Sequence, residues 1–268
     1  MRFRRTLDNA MAFNHLRLDR DDFLATITLA RPDRRNALSR EMIGELTRAF
    51  SELGTDRTAH AVVLAAEGPA FCSGHDIAEM KGRDAAFYRA LFEECVALME
   101  RIQRVPQPVV AAVQGLATAA GCQLAASCDL AVAAESAGFA TPGVKIGFFC
   151  TTPMVALTRA IGRKRALEML FTGRVVPARE AAEWGLVNRV VPDGKSLEAA
   201  QELARQIAAA APFTLALGKQ AFYTQIDLDQ PKAYAYAQEV MSLNAVAAGA
   251  QEGFCAFLEK RPPVWRES

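Results

Sequence analysis

The sequence predicts an α/β protein with a mainly parallel sheet and a helical last third. Short apolar runs with the length of buried strands alternate with segments whose apolar residues recur every three to four positions. Beyond Pro153 the helical spacing dominates. Strands that alternate with helices along a chain form parallel sheets that those helices cover, and this pattern gives the fold class.

The first predicted unit is a strand, a loop and a helix. Residues 22–29 end in apolar side chains that alternate with threonine, as in a half-buried strand. After a polar loop, Ser39 is a candidate N-cap for a helix whose apolar residues run from Met42 to Leu53.

Three further strands are predicted from continuous apolar runs, which are typical of strands buried on both faces. The runs are 61–66, 109–113 and 129–134. Between the first two, residues 91–102 have helical spacing, and Pro106 and Pro108 end that helix. The small residues 115–124 predict a loop followed by about two helical turns.

Six helical segments are predicted beyond Pro153. They cover 154–161, 165–171, 178–185, 197–210, 212–223 and 233–247. Their alanine-rich faces must be buried on the same chain or against a second copy, and the sequence leaves both outcomes open. We divide the chain into a core, residues 1–205, and a helical C-terminal region, residues 206–268, with residues 1–12 expected to be a loose end.

Composition and charge exclude several functional classes. The 31 Lys and Arg residues balance 30 Asp and Glu residues, and the net charge of +1 gives no basic surface that would suit nucleic acid. No apolar stretch approaches the roughly 18–20 residues of a membrane span. The basic N-terminus is not followed by the apolar block of a secretory signal, so we do not expect secretion.

The reactive residues exclude further kinds of site. The six cysteines are scattered without a C-x-x-C pair, which is typical of reduced thiols in the cytoplasm. The three histidines lack metal-ligand spacing, so no metal is expected. The glycine motifs of dinucleotide sites, of P-loops and of the nucleophile elbow are also missing.

Two segments rich in small residues, 71–77 and 115–121, each follow a predicted buried strand. Loops that leave the strands of a parallel sheet line its ligand crevice, and small side chains let a ligand reach backbone N–H groups. Either segment alone would also fit a tight turn packed for steric reasons. Their combination with the motifs below favours a ligand site.

These two segments belong to a longer series of motifs along the chain. The series is Arg35-Asn-Ala-Leu38, Ala70-Phe-Cys-Ser-Gly-His-Asp-Ile77, Val113-Gln-Gly-Leu-Ala-Thr-Ala-Ala-Gly-Cys-Gln-Leu124, Cys128-Asp129, Phe139-Ala-Thr-Pro142, Leu170-Phe-Thr-Gly173, 178–187 and 251–254. In order and spacing it resembles the crotonase (enoyl-CoA hydratase/isomerase) superfamily over about residues 22–260. The stretch 115–123 and the ending 260–265 resemble one branch of that superfamily.

The resemblance implies a spiral of ββα repeats and a helical C-terminal region that forms a trimer or a hexamer. It implies a coenzyme A thioester as substrate, with no tightly bound cofactor. The thioester oxygen would lie in an oxyanion hole formed by the backbone N–H groups of His75 and Ala120. The same resemblance assigns coenzyme A binding to Arg35, Asn36, Ala37, Leu38, Ser73, Asp76, Ile77, Ala78 and Gly121.

The sequence departs from the superfamily at its acid and base positions. The two glutamates that activate water in a hydratase are replaced by Gln123 and Gly143, and the position of an aspartate in some isomerases falls near Thr151. Glutamine has no proton to exchange at a useful pKa, and glycine has no side chain. Efficient hydration is therefore not expected.

The remaining candidates for chemistry are His75, Lys145, Cys150 and Thr151. A Gly-His-Asp motif resembles methylmalonyl-CoA decarboxylase, although the imidazole could equally turn away and leave only the backbone N–H in the site. Asp76 is expected to cap the next helix. Three functions stay open: a hydratase-type lyase with other proton donors, a decarboxylase-like enzyme, and a non-catalytic acyl-CoA-binding oligomer.

Overall fold

The structure is a computed structural model that describes residues 13–265, so the loose end expected at residues 1–12 lies outside the described part. The strands are β1 Leu16–Asp21, β2 Leu24–Leu29, β3 Ala61–Ala66, β4 Ala70–Cys72, β5 Val109–Val113, β6 Leu116–Thr118, β7 Leu130–Ala134, β8 Gly138–Ala140, β9 Val176–Pro177 and β10 Arg189–Val191. The helices are α1 Arg40–Thr55, α2 Ile77–Met80, α3 Ala85–Arg104, α4 Ala120–Ser127, α5 Thr151–Ile161, α6 Arg163–Thr172, α7 Ala178–Trp184, α8 Ser196–Ala208, α9 Pro212–Gln225, α10 Gln230–Val246 and α11 Ala248–Leu258. Short 3₁₀ turns lie at Pro32–Arg34 and Pro142–Ile146.

The strands form two sheets, and each repeating unit of the chain contributes one strand to each of them. The larger sheet has the order β1-β2-β3-β5-β7-β10 and is parallel except for the β1–β2 pair. The smaller sheet has the order β4-β6-β8-β9, with an antiparallel pair only at β8–β9. Each of the pairs β3–β4, β5–β6 and β7–β8 gives one strand to each sheet and leads into a helical segment, so the mixed α/β fold is a repeat of ββα units.

Most of the long elements confirm the sequence predictions, whereas β1, α11 and the short strands were not predicted. The runs at 61–66 and 109–113 are strands that begin and end at the predicted residues. The Ser39 hydroxyl caps α1 by accepting a hydrogen bond of 3.2 Å from Met42 N. The strand predicted over 22–29 is β2 alone, and β1 before it was not predicted. The strands β4, β6 and β8 have three residues each, which is too short for any period to show.

The core lies on both faces of the larger sheet. One face packs against α1 and α3 and buries the side chains of Phe50 and Ile102 completely. The other face packs against α8, whose alanines at 200 and 204 allow a close approach. The proposed boundary between residues 205 and 206 falls inside α8, and the domain division stays a prediction. Among the described residues no helix is long and apolar enough to cross a membrane.

A buried ion pair fastens α9 to the core. Lys219 is 9% exposed, and its Nζ lies 2.7 Å from Asp129 Oδ2 while it donates to the carbonyls of Ile102 and Gln107, each at 2.9 Å. The hydroxyl of Tyr223, one turn further along α9, donates to Asp129 Oδ1 at 2.8 Å. Burial lowers the pKa of Lys219, and the charge of Asp129 opposes that effect. All three ammonium protons are engaged, so Lys219 has a structural role.

Beyond α9 the chain buries little of its apolar surface. None of the residues of α10 is buried, and in α11 only Ala256 is. Met241 is 76% exposed and Phe257 84% exposed. Apolar surface of this extent is typical of an interface, and it favours the second of the two outcomes that the alanine-rich helices left open.

We expect Lys219→Met to destabilise the protein by about 3 kcal/mol, because it leaves a partly buried carboxylate without its cation. That loss corresponds to a melting temperature lower by roughly 10 °C at a fixed protein concentration. Lys232→Met removes a lysine whose pair with Asp229 is exposed, and this control should melt close to the wild type. Equal shifts in the two variants would contradict the anchoring role of Lys219.

Candidate active site

The candidate site lies at one edge of the smaller sheet, where three parallel strands end side by side. The segment 73–76 follows β4, the segment 119–120 follows β6, and the segment 141–143 follows β8. Parallel neighbouring strands end at the same edge of a sheet. The two segments rich in small residues, 71–77 and 115–121, therefore meet there with the segment that contains Pro142. The backbone N–H of Ala119 donates to the carbonyl of Ala140 at 2.9 Å and joins the second and third segments.

The first two segments are in direct backbone contact. A Cβ atom added at Gly74 would lie 2.9 Å from the Ala119 Cβ and 3.4 Å from the Ala120 N. A Cβ atom added at Gly121 would lie 2.1 Å from the carbonyl oxygen of Cys72, a distance that no side chain tolerates. The structure therefore brings the chain next to His75 close to the start of α4, while the role of the two residues as an oxyanion hole stays a prediction.

The start of α4 presents unpaired backbone donors to this edge. The first N–H groups of any helix lack intrahelical partners and carry the positive end of the helix dipole. Ala120 is the first residue of α4, and no side chain among the described residues caps that end. The preceding Ala119 has φ 51° and ψ −119°, a conformation that costs on the order of 1–3 kcal/mol outside glycine. Such strain is typical of functional sites and here fixes the direction of the Ala120 N–H.

The backbone of His75 is held by the loop before α1. His75 pairs with Leu38 in a parallel bridge, in which the N–H of Leu38 donates to the carbonyl of Gly74 at 2.8 Å. The N–H of Asp76 in turn donates to the carbonyl of Leu38 at 3.2 Å. In this pattern both neighbours of His75 are hydrogen-bonded to Leu38, and the His75 N–H itself makes no backbone hydrogen bond among the described residues.

The His75 imidazole is neutral and lies among apolar groups. Burial lowers its pKa to about 4, against a smaller opposing effect of the Leu38 backbone. Neither ring nitrogen makes a hydrogen bond of good geometry to any residue of the described chain. Its ring meets the Phe92 ring edge to face, with centroids 5.6 Å apart. The side chain can therefore donate or accept a hydrogen bond, but it carries no charge at neutral pH.

An aromatic wall next to His75 was missed by the sequence reasoning. Phe92 stacks on Phe148 with ring centroids 6.0 Å apart, and on Tyr88 with centroids 6.3 Å apart. Phe92 and Tyr88 lie on α3, while Phe148 comes from the turn after β8, so nothing local in the sequence links them. We define these three residues as the aromatic wall. It makes the surroundings of the imidazole apolar.

Two buried oxygens near the strand ends lack partners. Gln123, which is 4% exposed, follows Ala119 by one turn of α4, and its Oε1 makes no hydrogen bond within residues 13–265. Thr141 follows β8 directly, is completely buried, and its Oγ1 also has no partner in that range. An unpaired buried acceptor costs free energy until a ligand or water supplies a donor. These positions can therefore bind a polar group but cannot exchange a proton as a carboxylate does.

The position of the second hydratase glutamate is closed to any side chain. A Cβ atom added at Gly143 would lie 2.0 Å from the carbonyl oxygen of Phe148 and 2.9 Å from the Cys150 Sγ. The N–H of Phe148 donates back to the carbonyl of Gly143 at 2.9 Å and closes the turn. Glycine is thus required by the turn that carries Phe148 into the aromatic wall.

The other candidate catalytic residues, Lys145, Cys150 and Thr151, differ in their exposure to solvent. Cys150 is buried, and burial raises the pKa of its thiol, so it is not a thiolate at neutral pH. Burial also raises the pKa of the nearby Cys122 to about 12. Thr151 and Lys145 are both exposed. Neither cysteine is therefore an activated nucleophile.

The residues expected to bind coenzyme A surround the same edge. The Asn36 side chain is fully buried and committed to the fold, since it accepts from Arg31 N and donates to the carbonyls of Glu67 and Ala70. The Asp76 carboxylate caps α2 by accepting from Ala78 N at 3.1 Å, which confirms its expected capping role, and pairs with Arg31. Exposed positions are Arg35, Ile77 and Ala78, buried ones are Ala37, Leu38 and Gly121, and Ser73 is half-buried. Their assignment to coenzyme A stays a prediction.

Comparison with known proteins gives consistent matches over almost the whole chain. The profile of the family described as enoyl-CoA hydratase/isomerase matches residues 19–268. Enoyl-CoA hydratase domain-containing protein 3, mitochondrial, of Rattus norvegicus is 45% identical over 91% of this chain and 82% of its own length. These matches confirm the superfamily and the branch that the motifs indicated.

Two solved structures share the fold. The crystal structure of human enoyl-CoA hydratase domain-containing protein 3 superimposes with a TM-score of 0.91 and 43% identity, covering 94% of this chain and 100% of that one. A crystal structure of enoyl-CoA hydratase from Mycobacterium smegmatis gives a TM-score of 0.91 and 48% identity, covering 94% and 98%. The crotonase-like spiral expected from the sequence is thereby confirmed.

We expect Gly143→Ala to destabilise the protein by about 1–3 kcal/mol, because the added methyl group overlaps the carbonyl of Phe148. Gly44→Ala is the matched control: it lies inside α1 with no atom within 4 Å of an added Cβ, and it should stabilise by up to about 1 kcal/mol. Thermal melts of the two variants measure both effects. A Gly143→Ala protein as stable as Gly44→Ala would show that the turn is not closed.

The low pKa of His75 should make stability depend on pH. The unfolded chain binds a proton at this group near 6.5 and the folded chain only near 4, so the free energy of unfolding falls as pH falls through that window. The loss between pH 7 and pH 5 amounts to about 2 kcal/mol. We expect His75→Leu to be less sensitive by that amount in urea unfolding at the two pH values. An unchanged pH dependence would contradict the buried, neutral imidazole.

Proposed function

We infer the function from a premise that the matches supply: the chain belongs to the enoyl-CoA hydratase/isomerase family. We propose that it binds a coenzyme A thioester with the thioester oxygen between the backbone N–H groups of His75 and Ala120. An enolate formed there would be stabilised by both donors and by the positive end of α4. The protein would be a lyase of the enoyl-CoA hydratase type that needs no metal or tightly bound cofactor.

The observation that carries this proposal is the contact of Gly74 with Ala119 and Ala120. This contact holds together two chain segments that are distant in sequence and that carry the two proposed donors. Donors held in place before the reaction need no reorganisation, and each is worth about 3–4 kcal/mol of transition-state stabilisation. The two oxyanion donors belong to the backbone, so this part of the site is independent of the residues that replace the glutamates.

Hydration is the reaction that the site supports least. Water addition needs a group that removes a proton from water and one that returns a proton to carbon. Gln123 cannot do either, and the turn at Gly143 leaves no room for a carboxylate. Cys150 and Thr151 remain candidate proton donors, the first as a buried thiol and the second as an exposed hydroxyl.

A decarboxylase-like reaction is the second candidate, favoured by the neutral His75 imidazole beside the aromatic wall. A substrate carboxylate placed against such apolar groups would lose its hydration, and its release as CO₂ would leave the bonding electron pair on the α-carbon as an enolate. A proton from the imidazole N–H or from water would then replace the lost group. The third candidate is an oligomer that binds acyl-CoA without chemistry, which the absence of both glutamates motivates.

We also propose the assembly and the location. The exposed apolar side chains of α10 and α11 would be covered by further copies of the chain in a trimer or a hexamer. The scattered free cysteines support a cytoplasmic location, while the vertebrate relatives carry the word mitochondrial in their names. We propose no nucleic acid partner.

We expect the purified protein to bind crotonyl-CoA saturably but to hydrate it at less than about 1 per second, below the range of roughly 1–1,000 per second that is typical of enzymes. Steady-state loss of the enoyl absorbance measures hydration, and calorimetry measures binding. Release of CO₂ from malonyl-type CoA esters tests the second candidate in the same preparation.

The outcomes separate the candidates. Turnover of crotonyl-CoA within the ordinary range would contradict the conclusion drawn from Gln123 and Gly143. Binding without turnover of either ester class would support the non-catalytic oligomer. Failure to bind any coenzyme A ester would overturn the proposed site itself.

A further inference from the structure

The direction of the proposed donor at His75 is set by the peptide bond that it shares with Gly74. A trans peptide is planar, and its N–H points away from its C=O. This peptide is trans, and the carbonyl of Gly74 accepts a hydrogen bond of 2.8 Å from the N–H of Leu38. The His75 N–H therefore points away from Leu38, and any residue that holds Leu38 in place also orients this donor.

The contact between Leu38 and His75 is not part of either sheet. It is an isolated bridge of one residue pair, which the N–H of Asp76 completes by donating to the carbonyl of Leu38 at 3.2 Å. A single pair has no ladder of further hydrogen bonds to keep its register. Its geometry therefore depends on what holds together the two loops around it, residues 31–38 and residues 73–76.

The side chain of Arg31 ties the first of these loops to the second. Its Nη1 lies 3.2 Å from Asp76 Oδ2, and because the two side chains are only 18% and 12% exposed, water screens the pair little. The backbone of Arg31 is held as well: its N–H donates to Asn36 Oδ1 and its carbonyl accepts from the Asn36 N–H, each at 2.9 Å. Arg31 is thus fixed at its backbone and at its guanidinium group.

The Asp76 carboxylate uses its two oxygens for different partners. Oδ1 accepts from Ala78 N and caps α2, while Oδ2 faces the guanidinium group of Arg31. Asp76 directly follows His75, so a carboxylate held at both oxygens restrains the chain on the C-terminal side of the donor. The hydrogen bond between Leu38 and Gly74 restrains it on the N-terminal side.

We propose that Arg31 is a positioning residue of the oxyanion hole: through Asp76 it keeps the His75 N–H directed toward the position of the thioester oxygen. This inference rests on the proposed function and adds a residue that none of the motifs above includes. In this role Arg31 needs no contact with the ligand. Its effect should therefore appear in the binding of the thioester oxygen and not in the binding of the coenzyme A part.

The test compares two ligands that differ only at the thioester oxygen. Acetyl-CoA carries that oxygen, and S-ethyl-CoA has a methylene group in place of the carbonyl. Calorimetric titration of the intact protein gives the ratio of the two affinities, which measures the hydrogen bonds to the oxygen. We expect the wild type to bind acetyl-CoA at least about fivefold more tightly, and Arg31→Met to reduce this ratio about threefold or more. The affinity for S-ethyl-CoA should stay within about twofold of the wild type.

Asp76→Asn separates the ion pair from the helix cap. Asparagine caps a helix about as well as aspartate, so α2 keeps its cap while the charge opposite Arg31 is lost. We expect the same reduction of the affinity ratio as in Arg31→Met. The double variant should show no further reduction, because the two residues act as one unit. Asp76→Asn also decides the question if Arg31→Met does not fold.

Infrared difference spectra provide a second measurement on the same proteins. Hydrogen bonds to a carbonyl oxygen lower its stretching frequency, so acetyl-CoA that is isotopically labelled at the thioester carbonyl reports on the two donors directly. The shift on binding should be smaller in Arg31→Met and in Asp76→Asn than in the wild type. A merely structural ion pair would leave this shift unchanged.

Arg20→Met is the matched control. Arg20 is 25% exposed and pairs with Asp56, which is 19% exposed, so this pair resembles that of Arg31 in burial. Neither residue belongs to the loops 31–38 and 73–76. Arg20→Met should keep the wild-type affinity ratio and the wild-type infrared shift, and thermal melts show whether the two arginine variants lose similar stability.

The outcomes separate this inference from the proposed function. A wild-type protein that binds the two ligands equally would overturn the oxyanion hole and with it the proposed function. A wild-type preference that Arg31→Met and Asp76→Asn both retain would overturn the positioning role and leave the oxyanion hole standing. Equal weakening of both ligands, or an equal loss of the ratio in Arg20→Met, would also contradict the positioning role, since the pair would then act on the coenzyme A part or on the whole fold.

Discussion

The smaller sheet depends on contact between backbones, with no side chain in between. At Gly121 the first turn of α4 lies so close to the carbonyl of Cys72 that an added Cβ atom would be 2.1 Å from its oxygen. This contact fixes α4 against the end of β4, and through Gly74 it also fixes the loop that carries His75. A larger residue at either glycine would push apart the two segments that carry the proposed donors. The geometry of the proposed oxyanion hole therefore depends on this contact.

The backbone and the side chains of the candidate site depend on different parts of the scaffold. The proposed oxyanion donors belong to the backbone, which the bridge to Leu38 and the start of α4 hold in place. A proton-transfer group at the two positions replaced by Gln123 and Gly143 would have to project from the next turn of α4 or from the turn after β8. At Gly143 the chain turns so tightly that Phe148 occupies the aromatic wall and no carboxylate can be accommodated. The turn at Gly143 therefore excludes a carboxylate and adds the ring of Phe148 to the aromatic wall.

The sequence predicts those parts of the structure that depend on residues close together in the chain, such as buried strands and helix caps. The apolar runs of β3 and β5 and the helix caps at Ser39 and Asp76 were all predicted correctly, because their causes are local. The aromatic wall could not be read, since α3 and the turn after β8 meet only in three dimensions. At Asn36 the sequence motif marks the loop but not the role of the side chain. Only the structure shows that the Asn36 amide donates to the carbonyls of Glu67 and Ala70.

The helix α3 connects features that otherwise lie far apart. Its first half gives Tyr88 and Phe92 to the aromatic wall, and its last turn gives the carbonyl of Ile102 to the ammonium of Lys219. Because Lys219 also binds Asp129, the anchor of α9 and the aromatic wall share one helix. A displacement of α9 would therefore act on the last turn of α3. If further copies of the chain cover α10 and α11, their contacts would reach α3 through α9 and this anchor.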